Sequence, residues 1–186
     1  MIVMVGVVLF ASAACSAADA EPEPMAPISV VVPDSLGGRE KIVRPPNDRD
    51  RTDEAAEHAR FRNLVPTANS VVSALYRKGT SPSGLVLIAA TVAIEENMEV
   101  ALDRLLLGTP TDGTDGLEDV RSVDPGPVGG LAKCGAKNTP RQGKHPIAVC
   151  AWADRGSMGT ITWPTAGVET ARGEFAAMHT QVVLVG

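Results

Sequence analysis

The chain is poor in aromatic side chains and carries an excess of negative charge, and both features argue against nucleic acids as partners. Aromatic residues make up 3% of the sequence, which leaves few rings for stacking on nucleic-acid bases. The formal net charge is −5, whereas binding to phosphate backbones relies on clustered Lys and Arg. We therefore expect no nucleic-acid partner.

Motifs for catalysis and cofactor binding are also missing. The sequence Gly-Ser-Met-Gly around Ser157 does not match the G-x-S-x-G nucleophile elbow. The glycine-rich residues 126–130 lack the following Lys-Ser or Lys-Thr of a phosphate-binding loop. None of the 3 histidines lies in a catalytic motif, and we expect His179 at the surface. The prediction is no enzyme and no cofactor, with a secreted hydrolase using Ser157 as a weaker alternative.

Residues 1–14 predict export. Residues 1–18 carry no charged side chain, and an apolar stretch is followed by Ser12-Ala13-Ala14-Cys15. That ending resembles a bacterial lipobox and predicts lipidation at Cys15. Ser12 stands where a lipobox has an aliphatic residue, and no Lys or Arg precedes the apolar stretch, so a transmembrane anchor clipped at its start and simple secretion stay open. All three interpretations place the protein outside the cytoplasm, and the first two hold it at the cell membrane.

Residues 15–27 predict an acidic Pro/Ala tether, because alternating proline and acid cannot bury a core. Residues 28–186 predict a single extracytoplasmic α+β domain, a largely antiparallel sheet with helices packed on it. Strands are expected at 28–32, 70–77, 84–94, 120–123, 147–154 and 157–163. Helices are expected at 53–64, 95–107 and 167–182, with a terminal strand at 182–185 as an alternative, and residues 47–53 are expected to form a loop.

The clearest helix prediction rests on an apolar stripe from Met98 to Leu106, with Ala101, Leu102 and Leu105 between them at helical spacing. We expect this stripe to face the core. An alternative is a lipid-carrying protein, in which Leu102, Leu105 and Phe175 would line an apolar cavity.

The strongest hairpin joins residues 147–154 to residues 157–163. A two-residue turn at Arg155-Gly156 would place Trp152 opposite Gly159, a pairing in which the ring covers the glycine. A three-residue turn would instead separate the two tryptophans onto opposite faces. We favour the first register, which gathers Cys150, Trp152 and the tryptophan at position 163 on one face.

Two cysteines remain beyond Cys15. In an oxidising compartment Cys134 and Cys150 can form a persistent disulfide. A metal site using both cysteines and His145 is the alternative, although no CxxC or HxxxH spacing is present and a fourth ligand is missing.

A long segment has no acidic residue. Between Asp124 and Asp154 the charged side chains are all basic: Lys133, Lys137, Arg141 and Lys144. A basic patch on an acidic body can bind anionic lipid headgroups or phosphate-bearing wall polymers. The plainer interpretation is a solvated, lysine-bearing loop.

The motifs Gly-Gly, Cys-Gly, Val-Cys-Ala-Trp-Ala-Asp and Gly-Thr-Ile-Thr, all within residues 129–162, carry a family resemblance. Over roughly residues 70 to 182 the chain resembles uncharacterised envelope proteins of actinobacteria. The resemblance implies export, anchoring and a Cys134–Cys150 bridge. The order of elements is also similar to the layered α/β/α domain of PsbP-like and Mog1-like proteins. Together these observations predict a membrane-tethered binding or interaction module.

Overall fold

The structure is a computed structural model that describes residues 27–43, 48–80, 84–93, 97–108, 116–137 and 147–186, with the backbone alone for 48–51 and Lys137. The elements in chain order are β1 (Ile28–Val30), β2 (Ser35–Leu36), β3 (Arg39–Lys41), α1 (Asp48–Leu64), β4 (Ala68–Arg77), β5 (Gly84–Val92), α2 (Met98–Gly108), β6 (Glu118–Ser122), β7 (Leu131–Lys137), β8 (Ile147–Ala153), β9 (Ser157–Trp163), α3 (Val168–Val182) and β10 (Val183–Val185).

The main sheet has eight strands in the order β2-β3-β4-β5-β9-β8-β7-β6. Every neighbouring pair is antiparallel, and the sheet is open. Strands β1 and β10 form a separate antiparallel pair. The predicted α+β class with a largely antiparallel sheet is therefore confirmed.

Helices cover both faces of the main sheet. Strand β5 shows the alternation that makes this possible: Leu85 and Leu87 are fully buried on the face that carries α3, and Ile88 and Ala90 point to the face that carries α1 and α2. Helix α3 packs on β7 and β8, α2 packs on the other side of the same two strands, and α1 lies on β4. The result is two apolar cores separated by one sheet.

The hairpin prediction is confirmed in its register. Trp152 pairs with Gly159, and Cys150 pairs with Ile161. The backbone N–H of Asp154 donates to the carbonyl of Ser157 at 2.9 Å, which closes the two-residue turn. The other helix and strand predictions are met within a few residues, and residues 182–185 combine both alternatives, because α3 ends at Val182 and β10 begins at Val183.

The loop predicted at residues 47–53 is wrong, because α1 begins at Asp48. Acidic residues in the first turn favour a helix N-terminus through the dipole, and Arg is a good helix former. This segment therefore forms a helix although its side chains show almost no apolar period.

Candidate functional site

The Cys134–Cys150 disulfide is confirmed. The two cysteines are direct partners on β7 and β8, their Cα atoms are 4.0 Å apart, and both are fully buried in the core beneath α3. Because both sulfurs are consumed by the bridge, neither can act as a thiolate ligand, and the metal interpretation of this pair is wrong. Within the described residues no cluster of His, Cys, Asp and Glu could hold a metal.

The bridge lies close to one end of the sheet. The last pair of the β7–β8 ladder joins Lys137 to Ile147, so residues 138–146 connect the two strands from that end. Arg141 and Lys144 belong to this connection and lie outside the described residues, as does Cys15. Lys137 is the last residue of β7.

Lys133 is the predicted anion-binding residue whose side chain the structure describes. Its side chain lies on the α2 face, where its Nζ is 2.6 Å from Asp103 Oδ1 and 3.3 Å from Glu99 Oε1. The hydrogen bond to Asp103 is the main cause that raises the pKa of Lys133 above its ordinary value. The charge of Lys133 is thus already paired within the fold, which makes it a poor anion ligand.

Ser157 belongs to a polar cluster at the turn between β8 and β9, and its contacts there explain its role. Ser157 is fully buried; its hydroxyl donates to Asp154 Oδ2 at 2.6 Å and accepts from Trp152 Nε1 at 3.0 Å. A nucleophilic serine passes its proton to a base and must be reachable by substrate. Here the proton points to a carboxylate in a closed core, and we therefore interpret Ser157 as part of the turn's structure.

His179 is buried, and the expectation of a surface position is wrong. Its side chain is fully enclosed, stacked on Phe175 with ring centroids 5.6 Å apart and 5.1 Å from the ring of Trp152. Nδ1 donates to the carbonyl of Pro125 at 2.8 Å. His179 follows Phe175 by four positions and therefore lies on the same, buried face of α3. The helical period thus indicated burial, but the polar character of histidine suggested a surface position.

Asp154 stays ionised despite its burial. Burial by itself would raise the pKa of this carboxyl, but the interactions with His179, with the Ser157 hydroxyl and with the backbone N–H groups of Gly156 and Ser157 lower the pKa below its ordinary value. The Nε2 of His179 lies 3.8 Å from Asp154 Oδ2, and among the residues that the structure describes it has no hydrogen-bond partner. Asp154 is thus a buried acceptor for three donors: the backbone N–H groups of Gly156 and Ser157 and the Ser157 hydroxyl.

The lipid-cavity alternative does not fit in the form predicted. Leu102 and Leu105 belong to the core beneath α2, and Phe175 belongs to the core beneath α3, so the sheet separates them. A different cleft exists between α1 and the sheet, with a volume of about 130 Å³. It is lined by Glu57, Arg60, Phe61, Leu64, Val86, Ile88, Leu105, Thr160 and Thr162. Of the predicted cavity residues, Leu105 alone reaches it.

Comparison of the chain with protein-family models, with curated proteins and with solved structures finds no match. The described helices include none that is both long and apolar enough to cross a bilayer.

Proposed function

We propose that this chain is a membrane-tethered, extracytoplasmic binding module that contacts anionic envelope components through the basic connection between β7 and β8. The single observation that carries the proposal is the buried Cys134–Cys150 bridge next to that connection. Disulfides of this kind persist in oxidising compartments and are rare in the cytosol. The apolar residues 1–14 and the lipobox-like Cys15 supply the export signal and the anchor.

The charge of the connection supports an anionic partner. Residues 138–146 contain Arg141, Lys144 and His145 and no acid, and they follow Lys137 directly. The cross-strand bridge ties the two strands together three residues before Lys137. Anchoring both ends of a short basic segment lowers the entropy that the segment loses on binding.

A second basic residue group lies at the same end of the sheet. Strands β4 and β7 both run toward this end, and β5, β9 and β8 lie between them in the sheet, so the turn after β4 lies at the same end as the end of β7. That turn begins with the exposed Lys78, directly after Arg77. Glu40 pairs with Arg77 across the β3–β4 ladder, so Lys78 is the better candidate to add to the basic surface.

A protein that is anchored in a membrane needs only modest affinity for the anionic surface beside it. Each Lys or Arg near an anionic lipid surface contributes about 1 kcal/mol, and the contribution falls within a Debye length. Three such residues would give weak binding in solution, and the N-terminal anchor would raise the effective concentration. The proposal therefore predicts binding that depends strongly on salt.

The test is binding of the domain, residues 28–186 with the bridge intact, to vesicles with and without anionic lipid. The variant Lys137→Gln, Arg141→Gln, Lys144→Gln should lose most of the binding. A matched control, Arg62→Gln, Arg121→Gln, Arg155→Gln, removes the same number of positive charges from other surfaces and should keep it. Equal binding by both variants would contradict the proposal, as would binding that ignores salt.

Lys133 provides a second control. Because its charge is paired with Glu99 and Asp103, Lys133→Gln should leave vesicle binding unchanged. The same comparisons with a purified phosphate-bearing wall polymer would distinguish a lipid surface from a wall partner.

A further inference from the structure

Ser73 and His58 form a hydrogen-bonded pair on the face of the main sheet that carries α1. Ser73 lies on β4 and His58 on α1, with 2.9 Å between the Ser73 hydroxyl and Nε2 of the imidazole. Both residues are partly exposed, and 18% of the His58 side chain is accessible. Nucleophilic catalysis by serine depends on a base within hydrogen-bond distance of an accessible hydroxyl. Ser73 meets these two conditions, whereas Ser157 is fully buried.

A carboxylate lies beside this pair. Glu54 precedes His58 by one turn of α1, and its Oε1 is 3.8 Å from His58 Nε2 and 3.3 Å from the Ser73 hydroxyl. The arrangement differs from a Ser-His-Asp triad, in which the carboxylate faces Nδ1 of the histidine. When His58 takes a proton it becomes a cation, and a carboxylate at this distance stabilises that cation.

The backbone N–H of Ser73 points to the edge of β4, beyond the end of β3. On this side of β4, the main-chain hydrogen bonds of the described residues end where the N–H of Ile42 donates to the carbonyl of Leu75 at 2.8 Å. Backbone groups alternate in direction along a strand, so Ser73, two residues from Leu75, presents its N–H on the same side. In serine proteases, the N–H of the nucleophilic serine is one of the donors to the oxyanion that forms on the attacked carbonyl.

An apolar cleft begins one strand away from Ser73. Ile88 is the direct partner of Ser73 in the β4–β5 ladder, and it lines the cleft of about 130 Å³ between α1 and the sheet. Side chains of direct partners lie about 5 Å apart on one face of a sheet. Phe61 and Leu64 of α1 also line the cleft. Because a cavity of about 150 Å³ binds benzene, this cleft has room for an acyl chain of about four carbons.

We propose that Ser73 and His58 form a hydrolytic site for carboxylic esters with a short acyl chain, an activity separate from the proposed binding of anionic envelope components. The Ser73 oxygen attacks the ester carbonyl while His58 Nε2 takes the hydroxyl proton. The bond to the alcohol oxygen then breaks, and His58 gives the proton to that oxygen, which leaves the acyl group on Ser73 with its chain in the cleft. Water then attacks the acyl group, with His58 as base, and the acid departs as Ser73 regains its proton.

The first test is covalent labelling of the full-length protein, with the Cys134–Cys150 bridge intact, by a fluorophosphonate. This reagent loses fluoride to a serine oxygen whose proton is taken by a base. We expect one phosphonyl group per chain, and peptide mass spectrometry should place it on Ser73. Ser70, an exposed serine of the same strand, is the internal control and should stay unlabelled. A label on Ser70, or no label on Ser73, would overturn the proposal.

Turnover of p-nitrophenyl butyrate tests the roles of the two residues. Ser73→Ala and His58→Gln should each lower the rate above the buffer background by about a hundredfold or more, because each removes one half of the pair. The double variant should be no slower than either single variant, since the two residues act as a unit. Ser70→Ala should keep the full rate. Turnover that survives Ser73→Ala, or single effects that multiply in the double variant, would contradict the assignment.

The length of the acyl chain tests the role of the cleft. p-Nitrophenyl butyrate buries two more methylene groups than the acetate, so its kcat/KM should be about tenfold higher. p-Nitrophenyl decanoate, with a chain longer than the cleft, should be a poorer substrate than the butyrate. Equal kcat/KM values for the three esters would contradict the placement of the acyl chain beside Ile88.

Discussion

The indole of Trp152 covers Gly159 on the neighbouring strand. The two residues are direct partners in the β8–β9 ladder, and a Cβ atom at position 159 would overlap the indole and lie 2.7 Å from the carbonyl oxygen of Ile88. The ring in turn touches His179 and Phe175 of α3. This pairing therefore links the two central strands to the helix that packs on them.

The first prediction follows from that contact. Gly159→Ala should lower the free energy of unfolding by about 3 kcal/mol, because the added methyl group forces the indole or the strand to move. The matched control is Gly173→Ala in α3, where a Cβ atom meets nothing within 4 Å. That change should raise stability by about 0.5–1 kcal/mol. Urea unfolding of both variants measures this, and equal effects would contradict the packing described.

The second prediction concerns acid stability. The pKa of Asp154 is lowered in the folded state from an ordinary value of 3.8, so the unfolded chain binds its proton more readily. The stabilisation is present above that ordinary value and is lost as pH falls through the lower folded pKa. Asp154→Asn should cost about 2–3 kcal/mol at neutral pH, and the cost should shrink in acid.

Asp124→Asn is the control for this measurement. Asp124 accepts a hydrogen bond from the N–H of Gly126 at 2.8 Å, as Asp154 does from Gly156, but Asp124 is exposed. Its replacement should change stability little. Unfolding free energies measured from neutral to acidic pH would show the difference, and a cost for Asp154→Asn that is the same at every pH would contradict the account.

The third prediction uses the single tyrosine of the chain. Tyr76 is fully buried and donates to the carbonyl of Pro33 at 3.0 Å. Burial, followed by the negative charge of Asp34, raises the pKa of Tyr76 to about 12. Ultraviolet titration should show no phenolate until the pH nears that value. The stabilisation from neutral Tyr76 is lost as pH rises through the folded pKa, so Tyr76→Phe should flatten the alkaline fall in stability. Ionisation near the ordinary value of 10 in the folded protein would contradict the burial.

The fourth prediction concerns the bridge. Replacing both Cys134 and Cys150 by alanine should lower the free energy of unfolding by about 3 kcal/mol, since the bridge closes a loop between residues 16 apart. Reduction of the native domain should have a similar effect and should add nothing in the double variant. Urea unfolding with and without reductant tests this, and a double variant that is as stable as the oxidised protein would contradict it.

Local patterns in the sequence were sufficient for much of the fold. The period of α2 predicts its buried stripe, and the turn at Arg155-Gly156 predicts the pairing of Trp152 with Gly159. Both depend on residues close in sequence, for which alternation and helical spacing are direct physical signals.

Features that depend on distant contacts could not be predicted in this way. The helical period of α3 indicates the face on which His179 lies, but the enclosure of its ring needs Trp152 from β8, and the pairing of Lys133 needs the path of α2 across β7. The cleft exists because α1 places few large side chains opposite Thr160, a consequence of where that helix crosses the sheet. Tertiary placement decides each of these, and no local spacing encodes it.

The most direct test of the account is the intact mass of the protein extracted from the envelope of its own cells, measured with and without reduction. The account predicts a chain that begins at Cys15 and carries a lipid, and that gains two hydrogen atoms when the Cys134–Cys150 bridge is reduced. A full-length mass in the membrane fraction would replace lipidation by a transmembrane anchor. Free thiols at both positions before reduction, in protein recovered from the cytoplasm, would contradict the central claim.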